Sequence, residues 1–405
     1  MVTKYDCFYL ISINDGLNLS DLVKKLNKTK TYSSTTLEFI NELLKVDLIV
    51  EREKKYYLSE TKKTKHLIEI LDYCINNKID YNELFLPATM NFIKFGLEEN
   101  LDKLKLNPRT IKRISNLLSK HGFLLIESNK PYKAQLIYSI FLELLVNYFY
   151  SGFGCKKLKI FALVNENNII KQLNSEFSKY KKKSKENIIN EIKFIHQSLS
   201  LEGNTLTLPE TEKLILKNIP PKNKSFKDML DVSNYKKALD YLLDIKKPLD
   251  IDNILKFHSI AMQSLSKGNG IIRKQNVIIK GNPYYKTEDW KLLPNKINNF
   301  FEFYNQNINI KLKADEIVNL SADLHSEFQR IHPFVDGNSR TSRAIFIHTL
   351  ILKGFPIIDF LPGFVDQYMC LTKLSTERND SDFKKLMKII VLESLKKVNK
   401  KAEYS

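Results

Sequence analysis

Five residues with complementary roles follow one another within a stretch of twelve. His332 is a base near neutral pH, and Asp336 offers the hard oxygen ligand that Mg²⁺ prefers. Gly337 lets a ligand approach the backbone closely. Arg340 and Arg343 are three residues apart, so on a helix they lie on one face, where each guanidinium can bind phosphate oxygens in pairs. This spacing predicts a site for a magnesium-bound polyphosphate.

Two helices joined by a tight loop must position these side chains. The hydrophobic pattern predicts that one helix ends near Ile331, that a loop runs from His332 to Asn338, and that a second helix begins near Ser339. The unpaired N–H groups at a helix start form an anion site. The alternative is a capped helix with two surface arginines and a structural histidine. It explains each residue alone but not their occurrence together in this order.

The segment HPFVDGNSRTSR (332–343) resembles the signature of the Fic family, HPFx[DE]GN[GK]RxxR. The likeness extends upstream through Leu324, His325 and Phe328 and downstream to Gly354-Phe355-Pro356, and it covers about 190 to 375 of the chain. The resemblance implies an all-α core with a β-hairpin flap.

The resemblance also implies a protein adenylyltransferase with ATP as substrate and Mg²⁺ as cofactor. His332 would deprotonate a Ser, Thr or Tyr hydroxyl of a target protein, and Asp336 would hold Mg²⁺ between the α- and β-phosphates. Arg340 would neutralise these two phosphates, and Arg343 would orient the γ-phosphate. The anion hole would be lined by Gly337, Asn338 and Ser339.

One residue departs from the family pattern. Ser339 stands where the family usually has Gly, which favours AMP transfer, or Lys, which marks a phosphate-transferring branch. Serine keeps its backbone N–H, so nucleotide binding is expected to survive. Its side chain could crowd a phosphate, which leaves transfer of another group, such as UMP or phosphate, as an alternative.

A second segment, SLSLEGN (198–204), resembles the family's inhibitory motif [ST]xxxE[GN]. Ser198 and Glu202 are four residues apart and are expected to share a helix face. The resemblance implies that Glu202, with Ser198 and Gly203, pairs with Arg343 and denies that arginine to the γ-phosphate. The alternative is a helix that Gly203 closes, with Glu202 in solvent.

A third segment, 268–285, resembles the Fic flap. The resemblance implies an exposed strand edge that aligns a target peptide by β-strand addition. The docking residues would be Asn276, Val277, Ile278 and Ile279. The alternative is a surface hairpin without a ligand. Outside these segments, His258 lies on an apolar helix face and is predicted to be a core residue.

The N-terminal region follows a different pattern. Residues 19–58 read as helix, turn, helix and hairpin, which resembles a winged-helix module, and a weaker copy occupies 99–138. The predicted organisation is mainly α, with an all-α Fic core preceded by an α+β winged-helix region. The predicted domains are a winged-helix-like region at 1–68, a second winged-helix-like or helical region at 69–150, a basic linker and helix at 151–185, and a Fic domain at 186–400 that includes the inhibitory helix at about 186–203.

Composition and charge limit the classes of partner. The net charge of +18 favours acidic partners, but most of the excess lies after residue 150. DNA is a candidate partner of the winged-helix region, but this region carries little of the excess, and protein docking or a structural role is equally open. A DNA-binding transcriptional regulator whose Fic domain only senses nucleotide is therefore an alternative to the transferase. Four scattered cysteines, a poor signal-peptide pattern and the lack of a long apolar run predict a cytoplasmic protein without a membrane partner. Homo-oligomer formation stays open.

Overall fold

The chain divides into two compact units, Met1–Leu158 and Lys159–Ser405, in a computed structural model. The model describes residues 2–99, 101–129, 132–150, 165–180, 187–279, 282–375 and 378–403. The predicted basic linker and helix at 151–185 lies outside these ranges except for residues 165–180. None of the described helices combines the length and the apolar character needed to cross a membrane.

The first unit contains eight helices and two hairpins among its described residues. Its helices are α1 (Lys4–Ser12), α2 (Leu19–Lys25), α3 (Ser33–Lys45), α4 (Lys62–Asn76), α5 (Tyr81–Leu84), α6 (Pro87–Glu98), α7 (Pro108–Lys120) and α8 (Ile140–Phe149). Its strands are β1 (Ile49–Arg52), β2 (Lys55–Leu58), β3 (Leu124–Asn129) and β4 (Tyr132–Leu136), paired β1 with β2 and β3 with β4, both antiparallel.

The predicted order of helix, turn, helix and hairpin is present in α2, α3, β1 and β2. Leu17 also bridges to Tyr56, which adds a third short strand position to the hairpin. Asn18 caps α2, and α3 starts at Ser33 without a side-chain cap. The assignment of this region as a winged helix stays a prediction.

The second unit is helical except for one short hairpin within the described residues. Its helices are α9 (Glu166–Lys179), α10 (Asn187–Ser200), α11 (Leu208–Lys217), α12 (Phe226–Asp244), α13 (Ile251–Ala261), α14 (Leu293–Ile308), α15 (Ala314–Ile331), α16 (Asn338–Leu352), α17 (Val365–Thr372) and α18 (Asp380–Glu403). The hairpin consists of β5 (Ile278–Ile279) and β6 (Asn282–Lys286). The prediction of a mainly α fold is confirmed.

Helices α15 and α16 form the centre of this unit. Helix α16 is buried at every position from Thr341 to Leu350, because α15, α12, α10 and α13 all pack around it. A helix that is buried on all sides lies inside a bundle. Its first turn is therefore held rigidly, and that turn carries the residues predicted to bind phosphate.

Two helix boundaries are set by local backbone features. Helix α12 begins at Phe226, because the Ser225 hydroxyl accepts a hydrogen bond from the Asp228 N–H and caps it. Helix α13 ends at Ala261, and Ser264 then adopts a positive φ of 59° that a helix cannot contain. Apolar periodicity alone carries neither signal.

Candidate active site

The loop between α15 and α16 turns sharply at both of its ends. His332 ends α15 with a φ of 51°, in the left-handed region that non-glycine residues rarely adopt. Gly337 precedes α16 with a φ of 82°. Between them, the side chain of Asn338 accepts a hydrogen bond from the Phe334 N–H (2.9 Å) and donates one to the Phe334 carbonyl (2.8 Å). Asn338 therefore fixes the loop with its side chain and has only its backbone N–H left for a ligand.

The tautomer and the charge state of the His332 imidazole suit a base. Its Nδ1 lies 3.2 Å from the Gln329 carbonyl oxygen, which can only accept, so Nδ1 carries the proton and Nε2 the lone pair. Burial lowers the pKa of His332 to about 4, and the charge of Arg273 acts in the same direction. His332 is therefore neutral at pH 7, with Nε2 able to take up a proton.

The start of α16 has the properties of an anion site. No side chain caps it, so the backbone N–H groups of its first turn stay open for a ligand. Ser339 lies in this turn and is half-buried, which places its hydroxyl at the edge of the site. The arrangement suits a negatively charged group placed at the end of the helix.

The carboxylate of Asp336 is exposed beside this helix start and accepts one hydrogen bond, from the Gly337 N–H at 2.7 Å. No cluster of three or more His, Cys, Asp or Glu side chains suited to a metal occurs in the described parts of the chain. Mg²⁺ does not need one when the substrate supplies phosphate oxygens, since one or two carboxylates then suffice. Asp336 beside an anion site therefore fits a Mg²⁺ ion that arrives with its nucleotide.

The side chain of Arg343 is buried and forms hydrogen bonds with Ser198 on α10 and with Glu202 just after it. Its Nε donates to the Ser198 hydroxyl (2.8 Å), and its Nη2 donates to the Ser198 carbonyl (2.8 Å) and to Glu202 Oε1 (2.6 Å). Only 2% of its side chain is exposed. Burial alone would lower the pKa of Arg343, but the Glu202 carboxylate more than offsets this and raises it.

The segment that carries Glu202 differs in one detail from the prediction. Helix α10 ends at Ser200, so Glu202 lies in the turn after the helix instead of on its last turn. Gly203 follows with a φ of 89°, which allows the chain to leave the helix there. Ser198 and Glu202 nevertheless meet the same guanidinium.

Arg340 pairs with a carboxylate that sequence reasoning missed. Its Nη1 donates to Asp231 Oδ1 at 2.7 Å, and both side chains are about nine-tenths buried. Burial outweighs the attraction of Arg340 and raises the pKa of Asp231. Its position in the middle of α12 gives no sequence signal.

His258 is buried, as predicted, but it also supports the loop. Its Nδ1 accepts a hydrogen bond from the Gly270 N–H, so the proton is on Nε2, which donates to the Asp336 carbonyl; both distances are 2.8 Å. Its ring stacks on Phe334 with centroids 3.7 Å apart. Burial lowers the pKa of His258 to about 4, which keeps it neutral in this role. Nothing near it in the sequence marks this contact.

The four residues of the predicted docking segment differ in their exposure and in their hydrogen bonds. Ile278 is 76% exposed and Ile279 half-buried in β5, and Tyr284 on β6 is 95% exposed. Asn276 and Val277 lie before the strand and hold the base of the hairpin. The side chain of Asn276 accepts from the Trp290 N–H (3.0 Å), and the Val277 carbonyl accepts from the Thr287 hydroxyl (3.1 Å). Only Ile278 and Ile279 therefore belong to a strand that pairs on one side alone.

Comparison with known proteins finds similarity to Fic proteins both in sequence and in structure. Residues 248–350 match the model of the Fic/DOC family. A Fic-domain signaling protein from Bacteroides thetaiotaomicron is similar in structure, with a TM-score of 0.50 at 23% identity over 58% of this chain and 97% of that one. Fic-1 from C. elegans gives a TM-score of 0.52 at 15% identity over 59% of this chain and 73% of that one. Both share the helical fold.

Curated relatives agree with this class. The chain is 26% identical over 187 residues to the protein adenylyltransferase Fic of Drosophila grimshawi, which is 45% of this chain and 38% of that protein. It is 28% identical over 187 residues to the protein of the same name from Drosophila melanogaster, covering 45% and 37%. The chain thus spans well under half the length of these relatives. The segment that matches the Fic/DOC family, residues 248–350, lies in the second unit.

Proposed function

We propose that the protein transfers AMP from ATP to a Ser, Thr or Tyr hydroxyl of a protein target and that Glu202 restrains this reaction. The observation that carries the proposal is the convergence of a neutral imidazole, an exposed carboxylate and two arginines at the uncapped start of α16. The curated relatives named protein adenylyltransferases support AMP as the transferred group.

In the proposed reaction, His332 Nε2 takes the proton of the target hydroxyl as its oxygen attacks the α-phosphorus of ATP. A bond forms between that oxygen and phosphorus, the bond from phosphorus to the β-bridging oxygen breaks, and pyrophosphate leaves. The N–H groups of the first turn of α16 stabilise the charge on the α-phosphate oxygens. Asp336 would hold Mg²⁺ together with the phosphates, and the ion would supply charge neutralisation during the loss of pyrophosphate.

The two arginines require different events before they can bind phosphate. Arg340 releases the Asp231 carboxylate and binds an oxygen of the α- or β-phosphate, which is the more highly charged group. Arg343 reaches the γ-phosphate only after Glu202 leaves it. Because Arg343 is enclosed and satisfied by three hydrogen bonds, we expect this second exchange to limit the basal rate.

The test is incorporation of labelled ATP by four forms of the full chain: the natural protein, Glu202→Gly, Glu202→Gln and His332→Ala carrying Glu202→Gly. Glu202→Gly is expected to raise AMP transfer on the order of tenfold or more, as expected when about 1.4 kcal/mol of competing interaction is removed. Glu202→Gln keeps a hydrogen-bond acceptor without the charge, so an intermediate rate is expected. The added His332→Ala change is expected to abolish transfer.

Mass spectrometry of the Glu202→Gly form after incubation with mixed nucleotides identifies the group transferred. A mass increase for AMP on a hydroxyl supports the proposal. An increase for UMP or for phosphate assigns Ser339 a role in nucleotide choice and overturns the AMP assignment. No transfer at all by the Glu202→Gly form overturns the proposed function.

A further inference from the structure

Arg273 is a buried cation that the proposed reaction does not use. Only 3% of its surface is exposed, and it forms no ion pair with a carboxylate in the part of the chain that the model describes. Burial lowers the pKa of its guanidinium, which nevertheless stays charged at neutral pH. A buried charge without a counter-ion is costly, so its position calls for a geometric reason.

The guanidinium joins two segments that are far apart in the sequence. Its Nε donates to the carbonyl of His332 at 2.8 Å. Its Nη1 donates to the Gln275 carbonyl (2.9 Å), and its Nη2 donates to the Glu288 carbonyl (2.5 Å). The first bond reaches the loop that carries the base, and the other two reach the chain on either side of the hairpin β5–β6.

The backbone strengthens the same connection. The Arg273 N–H donates to the Pro333 carbonyl at 2.9 Å, next to the His332 carbonyl that the side chain binds. Nη1 also lies 3.5 Å from the side-chain oxygen of Asn276, which in turn receives the Trp290 N–H. Both ends of the hairpin and the loop at 332–333 therefore meet at a single planar group.

We propose that Arg273 is a positioning residue that fixes the hairpin β5–β6, and with it a peptide strand docked on β5, at a set distance from the imidazole of His332. The inference rests on the proposed function, since it concerns the acceptor hydroxyl of that reaction. Only an arginine suits the position, because its planar fork donates in several fixed directions, whereas a lysine ammonium donates from one point. A misplacement of about 1 Å between reacting groups costs on the order of a hundredfold in rate.

The test uses the full chain with Glu202→Gly as the parent, and adds Arg273→Gln, Arg273→Lys or Lys291→Gln. Lys291 is exposed near the hairpin, so its replacement removes a nearby positive charge without touching the connection. Labelled ATP and Mg²⁺ are supplied, and AMP attached to protein is measured separately from AMP released to water. Water does not dock on a strand, so the ratio of the two products isolates the alignment of the acceptor.

Arg273→Gln is expected to lower the rate of transfer to protein by about ten- to a hundredfold and to lower the product ratio, while KM for ATP stays within about twofold. Arg273→Lys is expected to restore part of the loss, and Lys291→Gln to match the parent. Hydrogen exchange of peptides from 274–290 is expected to quicken in Arg273→Gln, while peptides from α15 and α16 stay protected, which separates a moved hairpin from an unfolded unit.

The pH profile gives a further readout. Because the charge of Arg273 contributes to the low pKa of His332, Arg273→Gln is expected to move the acid limb of the transfer rate to higher pH, and Arg273→Lys is expected to hold it. If the parent transfers AMP and Arg273→Gln transfers it with the same rate and product ratio, the positioning role is overturned while the proposed function stands. A loss that follows a matching rise in KM for ATP also overturns it. If the parent transfers nothing, both proposals fall together.

Discussion

At Gly337, the backbone conformation and the packing of the loop both require the absence of a side chain. Its φ of 82° favours glycine, and a Cβ built there would lie 2.9 Å from Met262 Sδ and 3.0 Å from His258 Nε2. The methionine can move, but His258 is held at both ring nitrogens by Gly270 and Asp336. The loop therefore depends on the missing side chain twice, once for its turn and once for its packing.

We predict that Gly337→Ala destabilises the second unit by about 2 to 3 kcal/mol and weakens ATP binding at least about tenfold, because strain at a positive φ and a clash add together. Gly203→Ala is the matched control. Its φ is 89°, but nothing lies within 4 Å of the added Cβ, so only the strain of about 1 kcal/mol is expected. Denaturant unfolding is followed by the fluorescence of Trp290, the only tryptophan in the chain. Equal losses in the two variants would contradict the packing argument.

At the scale of elements, helix α10 carries Ser198, a hydrogen-bond partner of Arg343, and is itself held by an ion pair. Its Lys193 donates to Asp359 Oδ2 (3.2 Å), which also lies 3.5 Å from Lys397 Nζ on α18. The Asp359 carboxylate is almost fully buried, whereas both lysines keep about a quarter of their side chains exposed. Burial alone would raise the pKa of Asp359, but the two lysines outweigh it and lower the pKa. This carboxylate therefore holds α10 and α18 together as a charged group.

We predict that Asp359→Asn lowers the free energy of unfolding by about 2 kcal/mol at pH 7, since a buried charged partner is lost while the lysines can reach water. The pKa of Asp359 is lower in the folded chain, so its stabilisation is present above its unfolded pKa of about 3.9 and is lost as pH falls through the folded value. The difference between the natural and variant proteins should therefore shrink below about pH 4.

The control for this experiment is Asp323→Asn. Asp323 pairs with Lys384 at 2.7 Å, but both side chains are about a third exposed, so a loss of less than about 1 kcal/mol is expected. Urea unfolding at pH 7 and pH 3, followed by Trp290 fluorescence, measures both variants. A difference for Asp359→Asn that does not change with pH would contradict the ionic account.

At the scale of the whole molecule, the two winged-helix-like regions of the first unit raise different expectations for charged partners. On α3, Glu38 and Glu42 point away from the core and would repel DNA phosphates, and Glu42 pairs with Lys4. On α7, Lys112 and Arg113 are exposed. The same motif order thus presents acidic groups on one helix and basic groups on the other, so α7 is the better candidate for a DNA contact.

We predict that any binding of duplex DNA by the first unit passes through α7. Lys112→Gln with Arg113→Gln is expected to weaken binding about tenfold and to reduce the slope of log affinity against log salt by about 2, one for each lost phosphate contact. Glu38→Gln with Glu42→Gln is the control on α3, and it is not expected to weaken binding. Fluorescence anisotropy at two salt concentrations measures both. Absence of binding at low salt would leave protein docking or a structural role for this unit.

The sequence by itself determined the helix ends and the loop at the site, which depend on residues close together in the chain. Apolar periodicity and glycine placed α15, the loop at 332–337 and the start of α16 to within one residue, because helix ends depend on neighbours in the chain. The contact of Glu202 with Arg343 is present where the family resemblance implies it, while its inhibitory role stays a prediction. The roles of the other site residues likewise await the experiments described above.

Only the tertiary structure decided which distant groups support that site. Asp231, His258 and Arg273 lie 59 to 109 residues from their partners at 332–340. No local pattern marks them, since an aspartate within a helix or an arginine before a hairpin is ordinarily solvated. The packing of α12 and α13 around α16, and the hairpin held against the loop, brought these residues into contact. Because these residues are buried, breaking one of their hydrogen bonds would leave an unpaired polar group away from water, which is costly. Single hydrogen bonds can therefore fix the geometry of the site.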